Sequence, residues 1–205
     1  MRQRGATLTG LMVGLMISMV VVLATLGLYQ SLVRATGTAQ QDTRQDTLRS
    51  ASLLSAGMAL QDAGFGLEAP DPQAQLLRVA AQAGVALLWM QNTGTQSGPQ
   101  CTGLFAPDRG GLLRLPAQAC TDLVGWNWQA GLLPLLAAAA DQPPQPRVAI
   151  ALEPSAACSP YGMSLGPFQA PRVVLASRSH TGVELTSTHC LVNFAAAPGA
   201  AGRAP

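Results

Sequence analysis

The sequence predicts an α+β chain, with one long N-terminal helix followed by a head built mainly of antiparallel strands. Two observations carry this. No proline occurs before Pro70, and the apolar residues up to Ala63 either run together or recur at helical spacing. Beyond Pro70 the pattern changes to short apolar runs punctuated by Gly and Pro, as expected of strands joined by turns. A helix followed by a series of strands, without β-α alternation, is the α+β arrangement. On this reading the 205 residues divide into a basic leader (1–5), an apolar helical segment (6–33), an amphipathic continuation (34–66), a β-rich head (67–194) and a disordered tail (195–205).

The apolar segment comes first. Between Leu11 and Val33 there is no charged side chain, and Arg2 and Arg4 precede the run. About 23 residues at about 1.5 Å each are enough to cross a hydrocarbon core of about 30 Å, which is longer than the apolar centre of a secretion signal. The segment therefore predicts a retained membrane helix. Arg2 and Arg4 place its N-terminus in the cytoplasm and the rest of the chain outside. Gly10, Gly14 and Ser18 fall at intervals of four on one face, the small-residue spacing that lets membrane helices approach closely.

The residues in front of the run are more specific. "RGATLTGLMVGL" resembles the type III signal of type IV pilins and pseudopilins, in which a short basic leader ends in Gly before a Thr/Ser, Leu and Leu/Met-rich pattern. The residues that carry the resemblance are Arg4, Gly5, Thr7, Leu8, Leu11, Met12 and Val13. It implies that a prepilin peptidase cuts between Gly5 and Ala6, methylates the new amine and leaves the helix intact in the inner membrane, with the head in the periplasm. Two positions depart from the pattern: Ala6 stands where Phe is usual, and Gly10 where most members carry Glu. In that family the glutamate pairs with the terminal amine of a neighbouring subunit, and members lacking it are associated with the filament tip.

From Arg34 the chain turns polar, with Leu48, Ala51, Leu54 or Ser55, and Met58 at helical spacing and Asp42, Arg44, Asp46 and Arg49 on other faces. This predicts one continuous helix whose second half packs under the head. "MALQDAGFG", Met58 to Gly66, resembles the end of the long helix in PilW-like minor pilins through Ala63, Gly64, Phe65 and Gly66, with Gln61-Asp62 near the place of the usual arginine. Gly64 and Gly66 also suit a helix end on physical grounds, because a left-handed residue is wanted there.

In the head, "VALLWMQ", "GLLRL", "RVAIALE", "RVVLAS" and "GVELTSTHCLVNF" read as strands, and "GLLPLLAAAADQ" as a short helix. The chain is 48% hydrophobic but only 4% aromatic, so its core is drawn mostly from Ala, Leu and Val. Four cysteines, Cys101, Cys120, Cys158 and Cys190, read as two disulfides in a domain outside the cytoplasm. Of the three pairings, Cys101 with Cys120 and Cys158 with Cys190 each close a local loop.

Several chemistries fit the sequence poorly. The 12 basic residues are all arginine, so Schiff-base and phosphate-loop lysines are excluded, and a formal net charge of +2 makes no electrostatic case for nucleic acid. His180, His189 and the cysteines lack zinc-ligand spacing, and no metal or cofactor is expected. "GMSLG" is a literal G-x-S-x-G around Ser164, with Glu184 and His189 following in hydrolase order. Pro160 and Pro167 flank it, and it lacks the strand-to-helix context that the motif needs. Trp126 and Trp128 are read as core, and Arg172 and Arg178 as too few for a DNA-binding strand.

The function expected is therefore structural. The resemblance implies a minor pilin processed by prepilin peptidase, with other minor and major pilins as partners, acting in type IV pilus assembly, priming or the tip, and through it in adhesion and twitching motility. No small-molecule substrate or enzymatic activity is expected. The alternatives are a type II secretion pseudopilin, a DNA-binding minor pilin for uptake, and a plain membrane-anchored periplasmic protein.

Overall fold

The computed structural model describes residues 8–94, 98–129, 131–136, 147–159, 169–178 and 182–195. It is an α+β structure: helix α1 (Leu8–Gln61) is followed by a one-turn helix α2 (Pro72–Gln75), strands β1 to β8 and a closing 3-10 turn (Val192–Phe194). The chain forms two compact units with the boundary between Thr47 and Leu48.

In the first unit, α1 carries apolar side chains that are exposed from Leu8 to Val33, with Leu15 at 63% and Leu23 at 65%. It is long and apolar enough to cross a membrane. Its later threonines satisfy their hydroxyls locally: Thr43 Oγ1 donates to the Ala39 carbonyl and Thr47 Oγ1 to the Thr43 carbonyl, both at 2.8 Å.

The second unit holds the rest of α1 and two antiparallel sheets. Strands β1 (Leu76–Ala81), β2 (Gly84–Gln91), β3 (Gln100–Pro107), β4 (Leu112–Ala119) and β5 (Leu133–Leu136) form a five-stranded meander in chain order. Strands β6 (Val148–Ala157), β7 (Gln169–Arg178) and β8 (Glu184–Cys190) form a three-stranded one. The last turns of α1 and the residues just after it share one core with both sheets: Leu53, Ala56, Ala59, Leu60 and Ala63 meet Leu87, Trp89 and Leu104 of the first sheet, and Ile150, Val173 and Leu175 of the second. The other face of the five-stranded sheet is closed by the segment after β4. There Leu123, Trp126 and Trp128 pack over Leu88, Met90, Phe105 and Leu115.

Two expectations are corrected. The helical face expected to pack under the head is the exposed one: Leu48, Leu54 and Met58 are 54%, 65% and 56% exposed, whereas Arg49 is buried. The packing face instead uses small residues, Ser52, Ala56, Gly57 and Ala59 among them, because they let the helix backbone come close to the sheets. The expected helix in "GLLPLLAAAADQ" starts as strand β5, with Pro134 on an edge where a missing N–H is tolerated; residues 137–142 lie outside the described residues. Strands β1 and β3 were not read from the sequence.

Candidate functional site

The signal that carries the resemblance is only partly within view. Arg4, Gly5, Ala6 and Thr7 lie outside the described residues, whereas Leu8, Leu11, Met12 and Val13 lie on the first turns of α1, all exposed. Gly10, Gly14 and Ser18 share one face of that helix by their spacing. Among the described residues, nothing beyond the helix's own backbone comes within 4 Å of where a Cβ on Gly14 would stand.

At its other end α1 is fastened into the head. Gly64 (φ 78°) and Gly66 (φ 68°) take the left-handed conformation that the A-G-F-G ending predicts. Gly64 N donates to the Met90 carbonyl at 2.9 Å and Asn92 N to the Phe65 carbonyl at 2.7 Å, joining the helix end to the end of β2. Asn193, just after β8, supplies a cap that the sequence did not reveal. Its Nδ2 donates to the Gln61 carbonyl at 2.9 Å and the Ala63 carbonyl at 3.0 Å, two acceptors that the end of a helix leaves without partners.

One turn earlier, the His189 ring of β8 lies against Gly57. A Cβ added there would stand 2.9 Å from Nε2 and 3.1 Å from Nδ1, so only glycine allows this approach. Ser187 Oγ and His189 Nε2 are 2.6 Å apart. Burial holds the His189 pKa below its ordinary 6.5 by penalising the charged form.

Disulfides flank this region. Cys158 and Cys190 join the ends of β6 and β8 across β7 with Cα atoms 5.9 Å apart, and Cys101 and Cys120 join β3 to the residue after β4 at 5.7 Å. These are the two local-loop pairings.

The remaining candidates are dispersed. Arg172 hydrogen-bonds Glu153 through Nε at 3.0 Å, and Arg178 pairs with Glu184 at 3.2 Å, so both arginines of β7 are neutralised by carboxylates. Trp126 and Trp128 are half-buried; Trp126 Nε1 donates to Gln118 Oε1 at 3.4 Å, and the Trp128 and Phe105 rings lie 5.4 Å apart. Ser164 and His180 fall outside the described residues. Glu184 and His189 each have another partner, and the Ser187–His189 pair lines neither of two clefts in the head, of 440 Å³ and 590 Å³. Among the described residues, no group of three His, Cys, Asp or Glu side chains is placed to hold a metal.

No family model, no curated protein and no solved structure matches this chain.

Proposed function

We propose that the chain is a minor pilin similar to the PilW group, processed by prepilin peptidase between Gly5 and Ala6 and assembled with other pilins at the tip of a type IV pilus. The observation that carries this reading is the division of labour along α1. Its first part carries apolar side chains all round that are exposed, and its last turns form a layer of an antiparallel head. A helix that is hydrophobic on every side needs a membrane or a bundle of other helices around it. A pilin subunit meets both, first in the membrane and then in the filament.

Gly10 supports the tip position within this reading. Without a carboxylate at that depth the subunit cannot pair with the terminal amine of a neighbour already in the filament, which suits a subunit that starts the assembly. The ion pairs made by Arg172 and Arg178 argue against DNA uptake as the role of the head, since β7 offers no unneutralised cation.

The test is the mature N-terminus, read by intact mass and terminal peptide sequencing of protein from host membranes with and without the peptidase. A product beginning at methylated Ala6 that depends on the enzyme is expected. A retained Met1, or cleavage after Val33, would exclude the pilin class.

A further inference from the structure

Among the described residues the head has four sheet edges, and three carry features that discourage another strand from adding. β5 has only 4 residues and includes Pro134. β6 contains Pro154, and its register shifts between Glu153 and Ala156. β1 carries Arg78, whose Nε donates to the Ile150 carbonyl of β6 at 3.0 Å. The fourth edge, β8, has no proline and no register shift, and its one charged residue, Glu184, stands at its first position, paired with Arg178. Its 7 residues, "ELTSTHC", pair with β7 without a shift from Glu184 to Cys190, and among the described residues no other backbone hydrogen-bonds to theirs.

The direction of the unpaired groups follows from the ladder. Leu191 N donates to the Pro171 carbonyl at 2.9 Å, which makes Leu191 a hydrogen-bonding position toward β7. Bonded and non-bonded pairs alternate in an antiparallel ladder, so His189, Ser187 and Leu185 also bond to β7. Glu184, Thr186, Thr188 and Cys190 then direct their N–H and C=O groups away from the sheet.

The geometry points to β8 as a docking edge for a second copy of this chain, the two β8 strands pairing antiparallel about Ser187. That register sets Thr186 opposite Thr188 and Glu184 opposite Cys190. Every outward-bonding residue thus meets another, and a strand centred on an inward-bonding position is self-complementary. It also sets threonine beside threonine, a favourable cross-strand pair, and keeps the strand's one carboxylate from its counterpart. Glu184 is already held by Arg178, so no free charge is brought to the seam. This inference is independent of the pilin reading, since it uses only residues of the head.

The test uses the full chain in detergent micelles, with mass from light scattering and amide exchange read over β8. A dimer is expected, in which the Thr186 and Thr188 amides exchange roughly tenfold or more slowly as protein concentration rises. Thr186 and Thr188 are exposed, so substitution leaves the core untouched. The pair Thr186→Lys with Thr188→Lys places lysine opposite lysine and should give monomer; Thr186→Lys with Thr188→Glu places opposite charges together and should restore the dimer. Gly14→Leu should leave it unchanged. A monomer at all concentrations overturns the inference, as does a dimer insensitive to the β8 charges or lost with Gly14→Leu, which would lie between the apolar helices. Protection at Thr186 and Thr188 that appears only when a different chain is added would assign the edge to a foreign strand and overturn the second-copy assignment.

Discussion

His189 stands on β8, yet what surrounds it is decided by Gly57 on the helix. The missing Cβ at Gly57 lets the ring lie against the helix backbone, and the resulting burial favours neutral imidazole. Its folded pKa lies below the unfolded value of 6.5, so the unfolded chain takes up a proton first as pH falls. Stability from this residue is therefore complete above about pH 7.5 and is lost progressively as pH drops below the unfolded pKa toward the lower folded one. The facing groups do not offset this effect: α1 presents Gly57, β7 presents Val173 opposite His189, and the neighbouring Arg172 is held by Glu153. The melting temperature should fall as pH drops from about 7.5 through the unfolded value of 6.5, and His189→Gln, which retains a partner for Ser187, should remove most of that slope. An unchanged slope in the variant would place the titration elsewhere.

For α1 as an element, the number of large apolar residues proved a poor guide to the buried face. Leu48, Leu54 and Met58 form the more hydrophobic stripe in sequence, but the helix lies close to two sheets and turns its small residues toward them. Adjacent leucines on α1 should consequently behave differently. Leu53, 2% exposed, contributes to the core, and Leu53→Ala should cost about 2–5 kcal/mol. Leu54→Ala, at 65% exposure, should stay within about 0.5 kcal/mol, and denaturant melts of the two variants would check the assignment of the face. The same limit explains the strands. β2, β6 and β7 were legible because their apolar runs are rich in Val, Leu and Ile, and the helix end because Gly64 and Gly66 mark it. β3 was not, since Gly103 and two polar residues interrupt it, although Thr102 is wholly buried and donates to the Leu115 carbonyl at 2.6 Å. β5 was read as helix because "LLPLLAAAA" has a helical composition beyond its proline. Of the candidate site, the signal pattern and the cysteine loops could be read locally. Asn193 and the Gly57–His189 contact could not, because they join residues more than a hundred apart in the chain.

For the molecule as a whole, the physical boundary of the head falls between Thr47 and Leu48, well before the strands begin. Leu53, Ala56, Ala59, Leu60 and Ala63 are core residues, and without them Leu87, Trp89, Val173 and Leu175 would face water. Burying two leucines alone contributes about 3 to 6 kcal/mol, comparable with the about 5–15 kcal/mol by which a domain is stable. The end of α1 is thus a structural layer of the head as well as its connection to the apolar segment. A soluble fragment beginning at Leu48 should fold with both disulfides formed and melt cooperatively. One beginning at Leu67, where the β-rich part starts in sequence, should fail to do so, because it also loses the carbonyls that Asn193 caps and the Phe65 carbonyl that receives the Asn92 amide. Circular dichroism melts and disulfide mapping of the two fragments distinguish the cases. A cooperative transition in the shorter fragment would mean that the sheets close a core without the helix, and that the small residues facing them serve another purpose.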